Sequence, residues 1–404
     1  MKLSRKVNKS VSVIESLLTR GITEVIDRNE LKKALLSGKK LRIKLGIDPT
    51  SPELHIGHSV VLRKLRLFQD LGHTAVLIIG DFTAIVGDPS GKSKTRAPLT
   101  KLQVRQNMKT YWKQAQKILS KKNLEIRYNS EWLSKLDFPH LFDLAGLISL
   151  NQILEREDFK KRLQSQQSIR MYELFYPLLQ AYDSVMTKAD VELGGNDQLF
   201  NLLMGRTLME RMHITPQNIL TTDLLEGTDG KEKMSKSLGN YIAVTDKPND
   251  MFGKVMAVRD ELISKYFLLC TDVEEKDIKE IENQIKSGKM NPRYAKLRLA
   301  QEIVAFYHGD KKAEVAKKEF IKVFTKKDFP TRISEFELPK SVKNIVDVLI
   351  ETKLAPSRSQ ARRLLVQGGV KVDGKVIKDS DYKISETSTI QVGKRHFAKV
   401  SYKR

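Results

Sequence analysis

Residues 41–81, "LRIKLGIDPTSPELHIGHSVVLRKLRLFQDLGHTAVLIIGD", contain the pattern that decides the fold. The stretch opens with a short apolar run and closes with a continuous one, "TAVLIIGD", as expected of a strand buried on both faces. Between these runs, Val61, Leu65 and Phe68 recur at helical spacing, and Lys64 is expected to point away from that stripe. A strand, a helix and a second strand in this order predict a βαβ unit with parallel strands.

The same alternation continues along the first half of the chain. Apolar runs at 124–130 and 219–225 predict further strands, and helical patterns dominate about 101–190. We therefore predict an α/β fold, a Rossmann-like doubly wound parallel sheet with a helical insertion, over residues 1–228. Sheets of this kind bind ligands beyond the carboxyl ends of their strands. The loops that follow the strands are thus the first candidates for a site.

The second half of the chain has a different character. Residues 229–330 begin with a lysine-rich loop and continue as charged helices, which predicts an α-helical domain. A linker is predicted near 327–342. Residues 343–404 contain a helix, a Gly-Gly stop, a strand and an Asp-Gly turn into another strand. This small α+β domain carries fourteen Lys/Arg against six Asp/Glu.

Composition restricts the class of protein and its partners. The 404 residues include 72 Lys/Arg and 49 Asp/Glu, a net charge of +23. This charge favours a polyanionic partner, although a basic proteome or a need for solubility would give the same balance. The single cysteine, Cys270, excludes an internal disulfide and a cysteine metal cluster. No apolar run has the length of a membrane helix, so we expect a cytoplasmic protein without a membrane partner.

The segment "DPTSPELHIGHS" places His55, Gly57 and His58 where the first strand's loop becomes a helix. The free N–H groups of a helix N-terminus suit phosphate, and Gly57 allows a flat ring to approach the backbone. Two histidines that cap a helix are as often structural. This motif alone leaves both interpretations open.

A lysine-rich loop, "GTDGKEKMSKSLGN", contains Lys233, Lys236 and Ser237 between two glycines. Such a loop can close over anionic phosphate and reopen. Most lysine-rich loops, however, are solvated surface loops. Farther upstream, "IVGDPSGKSKT" ends like a P-loop, but Gly87 stands one residue too close and a proline removes one N–H donor.

Tyr176, Gln180 and Asp183 are spaced four and three residues apart, so they share one face of a helix. Apolar side chains surround them, and a buried polar stripe must find partners. The alternative is that all three face solvent. The following "LGGNDQLFN" supplies Asp197 and Gln198, which suit a ribose and a carboxylate.

In combination, H-I-G-H after the first strand and K-M-S-K-S after a late strand resemble the class I aminoacyl-tRNA synthetases. From about residue 41 onward, D-P-T, G-D-P-S-G-K, Q-A-Y-D, G-G-N-D-Q and N-P-R-Y-A-K make the chain similar to the bacterial tyrosyl-tRNA synthetases. The resemblance implies a ligase that uses ATP with Mg²⁺ to charge the tyrosine tRNA with tyrosine. It further implies a homodimer, no tightly bound cofactor and no metal site in the protein.

The resemblance also implies roles for individual residues. Asp183 accepts the phenol hydroxyl in a tyrosine site that also contains Asp48, Asp88, Asn129, Tyr176, Gln180 and Gln198. The catalytic residues around the phosphates are His55, His58, Lys92, Arg96, Lys233, Lys236 and Ser237. The remaining ATP contacts come from Thr50, Gly57, Gly195, Asp197 and Met234. On this interpretation the shortened "GDPSGK" spacing belongs to a phosphate loop of another kind.

One position departs from the best-known branch of the family. That branch has tyrosine two residues before the glycine of "GxDPT", facing the phenol, whereas Lys44 stands here. The chain is closer to a second bacterial branch that lacks this tyrosine. What accompanies Asp183 around the phenol is therefore left open by the sequence.

The C-terminal "APSRSQARRLLVQGGVKVDGKVI" resembles the S-four type of small RNA-binding fold. Arg358, Arg362 and Arg363 lie on or near one helix face and Lys371 on the next strand, a cluster that would neutralise RNA phosphates. Two alternatives remain: the sister enzyme for tryptophan, and a catalytically silent paralogue that binds RNA. The Q-A-Y-D stripe argues against the first and the intact H-I-G-H and lysine motifs against the second.

Overall fold

The computed structural model of the chain describes residues 7–90, 99–325, 334–339, 341–393 and 396–402. It divides into two compact units, Met1–Ala313 and Glu314–Arg404. None of the helices in these ranges has both the length and the apolar character that a membrane span requires. The domain bounds expected from the sequence, 1–228, 229–330 and 343–404, stay predictions.

The first unit contains one six-stranded sheet. Its strands are β1 (Ile22–Ile26), β2 (Arg42–Ile47), β3 (Thr74–Ile79), β4 (Leu124–Tyr128), β5 (Val191–Gly195) and β6 (Asn218–Thr222). Their spatial order is β1-β6-β5-β2-β3-β4, and all neighbours are parallel except the edge pair β1–β6. The register sets Leu45 beside Leu77 on one side and Leu193 on the other. The predicted parallel α/β sheet is confirmed.

Helices alternate with the strands of this unit and continue beyond the last strand, with α16 crossing into the second unit. Those before the insertion are α1 (Val11–Thr19), α2 (Arg28–Ser37), α3 (Ile56–Asp70) and α4 (Thr83–Val86). The segment around β4 carries α5 (Lys101–Ala115), α6 (Ser130–Leu133), α7 (Phe138–Gly146), α8 (Leu150–Leu154), α9 (Glu157–Gln164) and α10 (Met171–Thr187). The remainder are α11 (Leu199–Arg211), α12 (Pro248–Met256), α13 (Ile263–Cys270), α14 (Glu275–Lys286), α15 (Pro292–His308) and α16 (Asp310–Thr325). Short 3₁₀ turns lie at Asn196–Gln198 and Asp260–Leu262.

The βαβ unit predicted from residues 41–81 is β2-α3-β3. Leu65 and Phe68 are fully buried, whereas Val61 is only partly so. The expectation that Lys64 points away is wrong, because this side chain is buried as well. Helix α13 packs against α3, so α3 is covered on more than its sheet-facing side. Burial lowers the pKa of the Lys64 ammonium to about 8.

In its described residues the second unit contains most of α16, a five-stranded sheet and two further helices. The strands are β7 (Ser334–Leu338), β8 (Val370–Val372), β9 (Lys375–Ile377), β10 (Ser388–Val392) and β11 (His396–Tyr402), and the helices are α17 (Ile345–Glu351) and α18 (Arg358–Val366). The spatial order is β7-β11-β10-β8-β9. The predicted helix is α18, and the Gly-Gly stop follows it. The Asp-Gly turn joins β8 to β9, and these two strands pair antiparallel.

The linker predicted near 327–342 is only partly correct. Ser334–Leu338 forms β7, which pairs parallel with β11 at the edge of the second sheet, and Leu338 is buried in its core. Residues 326–333 and 340 lie outside the described residues. This strand could not be predicted from the charged "SEFEL" pattern, because an edge strand buries few of its side chains and so lacks a clear apolar alternation.

Candidate functional site

A cavity of about 770 Å³ opens at the carboxyl ends of β2, β3 and β5. Most predicted tyrosine and ATP residues line it: Asp48, Thr50, His55, Gly57, His58, Asp88, Tyr176, Gln180, Asp183, Gly195, Asp197, Gln198, Lys233, Met234, Lys236 and Ser237. Asn129 stands behind the wall in contact with Asp183. Lys92 and Arg96 lie outside the described residues. Segments far apart in sequence thus meet in one cavity.

Asp183, on α10, forms the polar end of the cavity and is buried. Its Oδ1 accepts a hydrogen bond from the indole Nε1 of Trp132 at 2.8 Å, and its Oδ2 accepts one from Nδ2 of Asn129 at 3.2 Å. Burial, only partly offset by the Lys44 charge and these two donors, raises the pKa of this carboxyl to about 7. Sequence reasoning missed Trp132, whose only signal was its place three residues after Asn129 at the end of a strand.

Lys44 lies beneath the cavity and does not line it. Its Nζ donates to Oε1 of Glu192 at 2.6 Å and to Oγ of Ser184 at 2.7 Å, and both ionic side chains are buried. It also donates to the backbone carbonyl of Gln180 at 3.1 Å. Lys44 therefore ties β2 to β5 and to the middle of α10, the helix that carries Asp183.

A second carboxylate, Asp48, faces the cavity from the loop after β2. Its Oδ1 accepts from Thr83 at 2.7 Å and its Oδ2 accepts from the Tyr176 hydroxyl at 3.0 Å. Only glycine fits at position 80, because a Cβ there would lie 2.0 Å from Oδ1 of Asp48. Burial together with the nearby Asp88 raises the pKa of Asp48 to about 7. A cationic group entering here would favour the ionised carboxylates.

Asp88 and Gln198 join this polar wall from two other segments. Nε2 of Gln198 donates to Oδ2 of Asp88 at 2.8 Å, and Asn201 donates to Oε1 of Gln198 at 3.0 Å. Arg156, buried on the insertion, donates to Asn201 at 3.4 Å. Arg156 and Asn201 were not predicted from the sequence, because the residues that Arg156 contacts in this wall are distant in the chain.

His55 and His58 stand at the start of α3, with His55 as the N-cap residue. The two rings lie 3.7 Å apart between centroids, and Nδ1 of His58 accepts from the His55 backbone N–H at 3.2 Å. Burial lowers the pKa of both rings, that of His58 to about 4. Both imidazoles are neutral at pH 7, so they act as hydrogen-bonding groups and not as cations.

Two of the three lysines in the lysine-rich loop, Lys233 and Lys236, pair with carboxylates at the cavity mouth. Lys233 pairs with Asp197 at 2.7 Å, and Lys236 pairs with Glu53 at 3.1 Å. Asn240 fixes the loop by accepting from the Ser235 N–H at 2.8 Å. Glu53 was not predicted from the sequence. All four charged groups are partly exposed, so these pairs can exchange for an anionic ligand.

Comparison with known proteins identifies the family. Residues 36–325 match the family described as tRNA synthetases class I (W and Y). The chain belongs to this family of class I tRNA synthetases. Residues 345–390 match the S4 domain, as the C-terminal motif predicted.

Curated relatives of this synthetase are similar over almost its whole length. It is 50% identical over 387 residues to a tyrosine–tRNA ligase of Thermotoga maritima, covering 95% of this chain and 96% of the relative. It is 48% identical over 388 residues to a tyrosine–tRNA ligase of Idiomarina loihiensis, with coverage of 95% and 96%. The resemblance to bacterial tyrosyl-tRNA synthetases is therefore confirmed.

Solved structures share the synthetase fold. A C-terminally truncated mitochondrial tyrosyl-tRNA synthetase of Aspergillus nidulans has a TM-score of 0.63 at 23% identity, covering 77% of this chain and 94% of the other. A tyrosyl-tRNA synthetase of Archaeoglobus fulgidus, complexed with L-tyrosine, has a TM-score of 0.61 at 21% identity, with coverage of 76% and 100%. At these identities the likeness supports the fold class, which is confirmed.

The S4 domain of the synthetase presents the predicted basic residues on its surface. Arg358, Arg362 and Arg363 are exposed on α18, and Lys371 is partly exposed on β8. Arg358 forms an ion pair with Asp347 of α17. Arg362 has no acidic partner among the described residues, so its charge is available to another molecule.

Proposed function

We propose that this synthetase is a tyrosine–tRNA ligase in which Asp183 recognises the phenol. It joins tyrosine to ATP, giving tyrosyl-adenylate and pyrophosphate, and then transfers the tyrosyl group to the 3′-terminal ribose of the tyrosine tRNA. The observation that carries the proposal is that one cavity contains the Asp183 acceptor, the H-I-G-H histidines and the K-M-S-K-S lysines. Relatives that are 44–50% identical over nearly the whole chain support the same activity.

Tyrosine lies with its phenol at Asp183 and its ammonium group among Asp48, Asp88, Tyr176 and Gln180. The carboxylates of Asp48 and Asp88, which both line the cavity, suit an ammonium group. Gln198, already bonded to Asp88, directs the carboxylate end. Selectivity against phenylalanine follows, because a buried acceptor without its hydroxyl partner is left unsatisfied.

The first step is attack of the ionised tyrosine carboxylate on the α-phosphorus of ATP, with breakage of the bond to pyrophosphate. No general base is needed, because the carboxylate carries no proton. The chain positions the reactants and meets the charge that develops on the leaving phosphates. Neutral His55 and His58 donate hydrogen bonds, Asp197 and Gly195 hold the ribose, and Thr50, Gly57 and Met234 contact the nucleotide. Lys233, Lys236, Ser237, Lys92 and Arg96 bind the pyrophosphate, and Mg²⁺ arrives as part of the ATP substrate.

The tryptophan enzyme of the same family is the nearest alternative. The Q-A-Y-D stripe of α10, which the sequence associates with tyrosine and not with tryptophan, lines this cavity with Gln180 and Asp183. A silent RNA-binding paralogue would not need both lysines and both histidines around one cavity.

The active form is a homodimer located in the cytoplasm. An apolar surface on the insertion supports dimerisation. The rings of Phe138 and Phe142 contact each other in a tilted arrangement, 4.9 Å apart between centroids, although they are 72% and 65% exposed. Leu150, Leu163 and Met171 are exposed nearby in sequence. An exposed apolar surface of this kind usually marks a protein contact. The basic S4 domain supplies RNA affinity for the second step.

Amino-acid-dependent exchange of labelled pyrophosphate into ATP tests the proposal directly. The full chain is assayed with tyrosine, phenylalanine, tryptophan and no amino acid, and charging is measured with tyrosine tRNA and tryptophan tRNA. We expect exchange with tyrosine and charging of tyrosine tRNA only. Exchange that prefers tryptophan would support the sister enzyme, and no exchange with any amino acid would support the silent paralogue.

A further inference from the structure

Residues 89–124 contain ten Lys/Arg and no Asp/Glu, and apart from Lys92 and Arg96 the assigned activity does not use these charges. Five of the ten follow one another at intervals of four, on α5 and one turn beyond it: Lys101, Arg105, Lys109, Lys113 and Lys117. Four helical residues rise about 6 Å and turn slightly more than once, so these side chains form a slowly winding row. We call them the basic row.

No acidic side chain of the same segment, residues 89–124, neutralises the charges of the basic row. Lys101, Arg105, Lys109 and Lys113 are exposed and have no acidic partner among the described residues. Elsewhere the chain pairs exposed lysines within helices, as in Lys286–Glu282. Like charges four residues apart destabilise a helix by a few tenths of a kcal/mol per pair. The arrangement therefore opposes helix stability and fits a surface that meets an external anion.

The opposite face of α5 fixes the basic row beside the ATP end of the cavity. Asn107 donates to the carbonyl of Pro49 at 2.9 Å, and Thr110 donates to that of Pro52 at 2.6 Å. Gln114 accepts from the Leu54 N–H at 2.7 Å and donates to Pro52 at 2.8 Å. These hydrogen bonds hold α5 to the loop of residues 48–55, which connects β2 to His55. The row cannot move away from the site without disturbing this loop.

We propose that the basic row binds the phosphate backbone of the tRNA acceptor stem. This inference rests on the proposed function, in which the terminal ribose of tRNA must enter the same cavity. Exposed Lys/Arg at regular intervals contact phosphates and position an RNA without reading its bases. An acidic protein or an anionic membrane would also be attracted to such a row, but neither has a reason to approach this cavity. The row is a second RNA surface, on a different unit of the chain from α18.

A charge-matched pair of variants tests the inference. The row variant carries Arg105→Gln, Lys109→Gln and Lys113→Gln, which keep good helix formers on α5. The control variant carries Lys33→Gln, Lys279→Gln and Lys289→Gln, three exposed residues outside the cavity wall, and has the same net charge. In the full chain, tyrosine-dependent pyrophosphate exchange reports folding and the cavity, and tRNA charging reports RNA binding.

We expect the row variant to keep kcat and the KM for tyrosine and ATP in exchange. Its KM for tRNA should rise about tenfold or more near 0.15 M salt. The slope of the logarithm of the tRNA association constant against the logarithm of salt concentration should decrease in magnitude by about 2–3. The control variant should resemble the parent. A row variant that charges tRNA like the control variant, with the same salt slope, overturns the inference, and so does an equal loss in both variants.

An RNA hairpin that contains only the acceptor stem locates the contact. Its binding should weaken in the row variant and stay at the parental value after Arg362→Gln with Arg363→Gln in the S4 domain. The reverse pattern contradicts the assignment. The proposed function is judged separately, since it fails only if the parent lacks tyrosine-dependent exchange. A loss of affinity for anionic vesicles with unchanged charging would instead assign the row to a membrane.

Discussion

The indole of Trp132 donates to the carboxylate of Asp183 over 2.8 Å, although the two residues are 51 positions apart in the chain. Both side chains are buried, and Asn129 donates to the second carboxylate oxygen. The protein itself therefore orients the acceptor at the end of the cavity. An oriented acceptor in a low-dielectric site can bind a hydroxyl without reorganisation, and this is the physical basis that we propose for choosing tyrosine over phenylalanine.

Asp183→Ala is expected to remove this recognition. The phenol hydroxyl then enters a buried site without an acceptor, which costs about 1–3 kcal/mol, and more where the lost partner is charged. The kcat/KM of exchange with tyrosine should fall by the factor that corresponds to at least this free energy. The preference for tyrosine over phenylalanine should fall with it. An Asp183→Ala enzyme that still strongly rejects phenylalanine would show that the phenol is recognised elsewhere.

Trp132→Phe should give a smaller loss in the same direction. The substitution keeps an aromatic ring and removes only the N–H that orients Asp183, so about 1.5–3 kcal/mol of a charge-assisted bond is at stake. The preference for tyrosine over phenylalanine should decrease without a large change in the KM for ATP. Trp112→Phe is the matched control, because Trp112 packs against the core from α5 and does not reach the cavity. Equal effects from both substitutions would mean that Trp132 acts only through packing.

The Lys44–Glu192 pair predicts a stability effect. Lys44→Met leaves Glu192 buried without its cation, and breaking one side of a buried pair costs about 3–5 kcal/mol. Urea unfolding of the Lys44→Met variant should show this loss. Ser184 and Gln217 both donate hydrogen bonds to Oε2 of Glu192. Adding Glu192→Gln should recover much of the loss, because the uncharged amide can still accept from these two donors. If Lys44→Met is as stable as the parent, the two side chains do not form this pair.

The carboxyl groups of Asp48 and Asp183 predict how tyrosine binding depends on pH. Burial raises both pKa values to about 7, so each group gains a proton as the pH falls through 7. Protonated Asp48 no longer attracts the substrate ammonium, and protonated Asp183 is a weaker acceptor for the phenol hydroxyl. The KM for tyrosine should therefore rise as the pH falls from about 8 to about 6. Asp48→Asn should give a higher KM with a flatter pH profile. A parental KM that is constant over this range would contradict the prediction.

The sequence predicted the elements that local patterns encode. The β2-α3-β3 unit, the stripe on α10 and the lysine-rich loop follow from periodicity and turn chemistry in single stretches of chain. Trp132, the Lys44–Glu192 pair and the Glu53–Lys236 pair could not be predicted, because each depends on which strands become neighbours. The order β5-β2-β3 brings Lys44 to Glu192 across 148 residues, and no local pattern contains that information. Lys64 was misjudged for the same reason, since α13 covers its side of α3.

The lysines of the K-M-S-K-S loop should act on the transition state. Lys233 and Lys236 are paired with Asp197 and Glu53, so binding of ATP phosphates would exchange one set of ionic contacts for another. Alanine at either position should lower kcat of exchange with little change in the KM for ATP. Lys231→Ala, exposed in the same loop, is the control and should resemble the parent. A rise in the KM for ATP alone would mean that the loop binds only ground-state phosphate.

The S4 domain should be separable from amino-acid activation. Every described residue that we assign to tyrosine or ATP lies at or before Ser237, in the first unit. Arg362→Gln with Arg363→Gln should therefore leave exchange unchanged, raise the KM for tRNA and lower the salt slope of tRNA binding by about 2. Lys33→Gln with Lys289→Gln removes the same charge and should have little effect.

A truncation that tests the same separation must end before Ser334, because β7 belongs to the second sheet and a cut after about residue 340 leaves β7 without its neighbour β11. A chain that ends at Thr325 should keep tyrosine-dependent exchange and lose most of its tRNA charging. If it charges tRNA normally near 0.15 M salt, the S4 domain does not supply the RNA affinity.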